Sequence, residues 1–314
     1  MALPPKMWFQ WQRLKKSLQS SFGTQGGSSK SSVRMCRHCR ALIDTDASVC
    51  PFCGERPGPV RARGSTGTSG RVLGVIPVPT TAASVVVVAN LVLYAISWYM
   101  TQNTASTQMY GAPPMGGISG EVLLRLGAKS PYIFMGQWWR LVTAIFLHAD
   151  LLHIGMNLWC LVDLGPQVES LFNSAKFTVL YLVTGVAGFL LSLWWSPFGM
   201  SVGASGAILG LIGILIGLSF HHGHLGKEYR SQLWKWVFYI AVLGIFGRLF
   251  GLGLDNAAHF GGLASGLVLG YLIPEGEPVT RPSENLWNGL AMLSVLIIGG
   301  SFVLMAMQLG RPLG

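Results

Sequence analysis

Seven apolar runs after residue 80 constrain this chain more than anything else in it: 81–100, 151–165 (or from Leu141), 177–195, 203–220, 233–250, 257–273 and 286–307. A membrane-crossing helix needs about 20 predominantly apolar residues. Of the 314 residues, 51% are hydrophobic and only 11% charged, whereas a soluble domain carries about 25% charged residues. So much apolar sequence cannot be hidden in one aqueous core. The expected fold is all-α and polytopic, with the shorter runs buried inside a helix bundle rather than facing lipid.

Charge is unevenly placed. Of the 22 Lys and Arg residues, 12 lie up to Arg71, against 3 Asp and Glu. The positive-inside rule keeps such a segment cytoplasmic. That places 102–136 outside, 221–235 (with Lys227, Arg230 and Lys235) inside, and the C-terminus outside. Topology accounts for the basic excess, so no nucleic-acid partner is expected. The first 22 residues hold no continuous apolar stretch of the secretory-signal kind, because Gln, Arg and Lys interrupt it. Trp8, Trp11, Leu18 and Phe22 instead approximate the stripe of a basic helix lying on an anionic membrane surface. A basic tail without fixed structure is the alternative.

Five segments follow from composition: a basic segment and linker (1–32), a cysteine module (33–56), a Pro/Gly/Arg-rich linker (57–79), a six-helix core (80–274), and a linker with a seventh helix (275–314). Cys36, Cys39, Cys50 and Cys53 form C-x2-C-x10-C-x2-C. Two such knuckles present four thiolates to one tetrahedral Zn²⁺. About twenty residues cannot bury enough core to fold alone, and a metal supplies the missing stability. Disulfides would need an oxidising compartment, against the expected topology. The pattern resembles small zinc-ribbon modules on bacterial membrane proteins. The expected location is therefore the bacterial inner membrane, with a cytoplasmic N-terminus. Whether the module docks a partner or only stabilises is left open. Cys160, in an apolar run, reads as a packing residue.

Polar groups within apolar runs are expensive and mark functional sites. Ser205, in Gly203-Ala204-Ser205-Gly206, opens the fourth run, where it could be a nucleophile or a plain N-cap. His259, in the sixth run, could be its base or a satisfied core histidine. On the expected topology both lie near the outer ends of their spans. Gly206, Gly210 and Gly213, with Gly262 and Gly266, would let the two helices approach closely. His153 and Asn157 share one helical face. They could hold an oxyanion, together with the Ser205 N–H at a helix start, or act as polar glue between helices. Ser265 lies nearly two turns from His259 on one helix and cannot meet it.

These residues resemble the rhomboid intramembrane serine proteases. The chain carries W-R (Trp139, Arg140), H-x4-H-x3-N (His148, His153, Asn157), G-x-S-G (Gly203, Ser205, Gly206) and A-H-x-x-G-x-x-x-G (Ala258, His259, Gly262, Gly266), with Glu169 at the family's acidic position. The resemblance covers about 81–273. It implies a six-helix bundle, to which the run 286–307 adds one C-terminal helix, and a Ser205/His259 dyad without a carboxylate. It also implies an oxyanion site of His153, Asn157 and the Ser205 N–H, and no catalytic cofactor. Trp139 and Arg140 would belong to a membrane-embedded loop, and His148 and Glu169 would be structural. The substrates would be transmembrane helices in the lipid bilayer, cut near the outer face. A catalytically silent relative that only binds such helices is the alternative. Leu209 departs from members with an aromatic ring one turn after the serine, and Asp255 could serve as a third triad member.

Overall fold

The protein is described here as a computed structural model, covering residues 33–35, 42–44, 48–51, 54, 71–72, 76–77, 81–111, 113–246, 253–276 and 280–310. It divides into two compact units, Met1–Thr68 and Ser69–Gly314. In the first, β1 (Val33–Met35) pairs antiparallel with β2 (Leu42–Asp44), Val33 opposite Asp44. Cys36, Cys39 and Cys53 lie outside the described residues, and the expected zinc cluster with them. Cys50 is buried. Its carbonyl receives the N–H of Gly54 at 2.9 Å, with Gly54 at φ +72°, a turn that glycine adopts without strain.

The second unit opens with β3 (Arg71–Val72) paired antiparallel to β4 (Ile76–Pro77), inside the stretch expected to be a plain linker. Helices follow: α1 (Ala82–Gln102), α2 (Ala105–Tyr110), α3 (Gly120–Arg125), α4 (Arg140–Thr143), α5 (Leu151–Trp195), α6 (Ser205–Ser219), α7 (Gly223–Phe246), α8 (Asn256–Leu272) and α9 (Arg281–Gln308). Among the described residues, α1, α5, Ser205–His222 and α9 are long and apolar enough to cross a membrane.

Among the described residues, every apolar run falls on a helix, but the boundaries differ in two places. The second and third runs share α5, whose 45 residues break at Asn173 (φ 69°, ψ 170°). Unbroken, α5 would be about 68 Å long, over twice the hydrocarbon thickness of about 30 Å. Asn173 Oδ1 accepts the N–H of Lys176 at 3.0 Å and so restarts the helix. The segment 221–235, expected as a loop, is already helical from Gly223. Its charged residues are good helix formers, and polarity alone does not end a helix.

α6 is the centre of the bundle, buried from Gly206 to Ser219. Against it lies α8 along a seam of glycines. A Cβ on Gly262, Gly266 or Gly270 would run into the carbonyl oxygen of Gly206, Gly210 or Ile214. From the other side, Gly213 and Gly217 face the carbonyls of Leu263 and Leu267. The paired positions advance together, so α6 and α8 run parallel, with their backbones in contact.

Two buried charges anchor the rest. Glu169 accepts the N–H groups of Ala82 (2.8 Å) and Ala83 (3.1 Å), capping α1 from across the bundle. Arg140 donates to the carbonyls of Leu124 (2.7 Å) and Ala128 (3.1 Å) and to Gln137 Oε1 (2.7 Å), and lies against the rings of Tyr132 and Trp139. Around it, the first loop builds its own core from Ile118, Val122, Leu126, Trp139 and Leu147, joined by Met305 of α9. The long loop is thus a folded layer, and α9 packs on it.

Candidate active site

Ser205 is the first residue of α6. The N-cap position falls to Ala204 and makes no side-chain capping bond, so the N-cap reading of Ser205 is set aside. With no capping duty, its Oγ stands 2.8 Å from His259 Nε2. His259 is on the first turn of α8, which Asp255 caps by accepting the N–H of Ala258 at 3.0 Å. The glycine seam brings the two residues together: with no side chains between the helices, a 2.8 Å contact spans 54 positions of sequence.

His153 lies on the first turn of α5, whose N-cap Asp150 accepts the His153 N–H at 2.8 Å. The His153 ring accepts the N–H of Ala149 at Nδ1, 3.4 Å away. A neutral imidazole accepting at Nδ1 carries its proton on Nε2. That atom faces Gly203, where a Cβ would lie only 2.6 Å from it. Gly203 sits at φ +128°, a conformation that L side chains rarely adopt, so glycine meets both demands. His148, fully buried, packs edge-on against His153 with ring centroids 5.1 Å apart. Burial first, and the neighbouring His153 second, hold its pKa at about 3, so the ring is neutral.

A cavity of about 180 Å³ is lined by His153, Gly203, Ser205 and His259, together with Met200 and Val202. Asn157 is not on its wall; its amide donates to the carbonyl of His153 at 3.0 Å. Asp255 lines the cavity but spends its carboxylate on Ala258 N–H and on the hydroxyl of Ser192. It is a helix cap rather than a third member bonded to the imidazole. Ser265 donates to the carbonyls of Gly261 and Gly262, away from His259. Leu209 is buried in the core.

Two buried lysines escaped sequence reasoning. Lys129 donates to the carbonyls of Ser192 (3.3 Å), Ser196 and Gly199 (3.0 Å). Lys176 donates to those of Pro274 and Gly276, both at 2.9 Å. The available signal was a lone cation flanked by apolar or small residues, which ordinarily reads as a solvated surface position.

Known proteins share this arrangement of sequence. The Rhomboid domain matches residues 135–275. RHOMBOID-like protein 1 of Arabidopsis thaliana is 33% identical over 218 residues, covering 65% of this chain and 54% of that protein. Rhomboid protease GluP of Bacillus subtilis (strain 168) is 33% identical over 152 residues, 48% of this chain and 29% of the relative. Rhomboid-like protease 3 of Toxoplasma gondii is 30% identical over 216 residues, 68% of this chain and 77% of the relative. The chain spans about half the length of the Arabidopsis relatives RHOMBOID-like protein 1 and RHOMBOID-like protein 6, mitochondrial (54% and 52%). Coverage of most of the Toxoplasma protein, together with the apolar helices, makes this chain an integral multi-pass membrane protein belonging to the rhomboid family.

Proposed function

We propose that the protein is an intramembrane serine endopeptidase that cuts transmembrane helices of other membrane proteins near the outer face. The 2.8 Å approach of Ser205 Oγ to His259 Nε2 carries this reading. The protease names of two relatives support it.

The substrate helix unwinds locally and presents a peptide carbonyl to Ser205. His259 Nε2 takes the hydroxyl proton as the Oγ–C bond forms. The oxyanion is held by His153 Nε2–H and by the Ser205 N–H, one of the first-turn groups with no acceptor inside its own helix. Asn157 joins by exchanging its bond to the His153 carbonyl for one to the anion. His259 returns the proton to the leaving amine as the C–N bond breaks. Water, activated by the same imidazole, then hydrolyses the acyl-enzyme, so no cofactor is needed for the reaction.

A fluorophosphonate probe should label Ser205 in the detergent-solubilised full chain, and vesicles holding the protein should cleave a co-reconstituted transmembrane substrate. Absence of both would leave a protein that binds transmembrane helices without cutting them.

For the N-terminal unit we propose a structural Zn²⁺ held by Cys36, Cys39, Cys50 and Cys53. The β1/β2 pair flanking the first knuckle and the turn from Cys50 to Gly54 support it. Elemental analysis should find about one zinc per chain, lost in Cys50→Ser; wild-type protein free of zinc would refute the module.

A further inference from the structure

Lys129 is 1% exposed, on the first loop, with three backbone carbonyls as its hydrogen-bond acceptors. Those carbonyls belong to the end of α5 and the loop after it. The backbones of Lys129 and Ser201 also exchange two hydrogen bonds, at 3.0 and 3.1 Å. The lysine thus clamps the first loop to the segment entering Gly203 and Ser205. Ser192 is the link onward. Its carbonyl receives Lys129 and its hydroxyl donates to Asp255. Asp255 in turn holds the first turn of α8 through Ala258, the residue before His259. Burial pushes the Lys129 ammonium below its ordinary value, and the Asp255 carboxylate opposes that shift.

We infer that Lys129, acting through Ser192 and Asp255, is a positioning residue that sets the distance between Ser205 and His259. It braces both ends of the dyad: the strand-like approach to Ser205 through Ser201, and the start of the His259 helix through Asp255. Without the ammonium, the Ser192 and Ser196 carbonyls keep only the N–H groups of Ser196 and Gly199, and the tie between the first loop and the end of α5 is lost. Ser192 then carries that loss to Asp255. Neither Lys129 nor Ser192 bonds to Ser205 or His259, and neither lines the cavity beside them, so their effect falls on attack geometry. The inference rests on the proposed dyad.

The test compares wild type, Lys129→Met, Ser192→Ala and the double variant in detergent, below the lowest melting temperature of the set. It reads the rate of fluorophosphonate labelling at Ser205, and kcat and KM for a transmembrane substrate. Each single variant should slow labelling and kcat about 10- to 100-fold, the scale of a sub-ångström to 1 Å misplacement. KM should stay within about twofold, because a change confined to the transition state leaves ground-state binding alone. The double variant should be no slower than the worse single one, as members of one chain of contacts are not additive. Labelled wild type with unaffected variants, or losses that multiply, overturns the network while sparing the dyad. A wild type that does not label overturns both. Should Lys129→Met fail to fold, Ser192→Ala, which removes one hydroxyl, decides alone.

Discussion

Ser205→Ala will leave the protein folded and abolish cleavage, with a loss of about 10⁴- to 10⁶-fold, the scale for removing a serine nucleophile that works as a unit with its base. The structure explains why folding is spared. The hydroxyl caps no helix, and among the described residues its side-chain hydrogen bond is to His259. The backbone bonds that seat this turn, such as Gly203 N–H to the Ala144 carbonyl at 2.9 Å, do not involve the side chain. Melting temperature in detergent should therefore barely move while product disappears. His259→Ala should lose a comparable factor, and the double variant little more. Cleavage by Ser205→Ala at wild-type rate would move the chemistry elsewhere.

Gly266→Leu should inactivate the protein without altering any group that touches substrate. A Cβ there meets the backbone of Gly210, which cannot swing aside as a side chain can. α6 and α8 must part, and overpacking of this kind costs about 1–3 kcal/mol even where side chains can adjust. Separation by 1 Å at the dyad lowers the rate by about 100-fold. Gly299→Leu is the matched control, because a Cβ at that position on α9 has nothing within 4 Å. Parallel measurements of cleavage and melting should show loss in the first and near-normal values in the second. Equal activity in both variants would mean that the seam does not set the dyad.

The glycine seam and the meeting of Ser205 with His259 were legible in the sequence because both follow short-range rules: four-residue spacing of small residues, and polar groups that apolar runs do not tolerate without use. The break at Asn173 was less so. Gln167, Glu169 and Ser170 look like a loop between two apolar runs, yet they remain helical, and the chain changes course at a single residue. The role of Glu169 as the cap of α1 depends on a partner 86 or 87 positions away, which no local pattern reveals. Asp255 was visible as a polar neighbour of His259, but only the position of Ser192 shows where its carboxylate is spent.

The two buried cations of the first loop also differ in when they can be satisfied. Arg140 finds its acceptors 3 to 16 positions away, inside the loop itself. It can settle as soon as the loop has been synthesised. Lys129 waits for acceptors 63 to 70 positions downstream. Until α5 is inserted and the turn after it has closed, that ammonium has no resting place in the bundle. The loop alone thus carries the partners of Arg140, whereas Lys129 is satisfied only by the end of α5 and the turn after it.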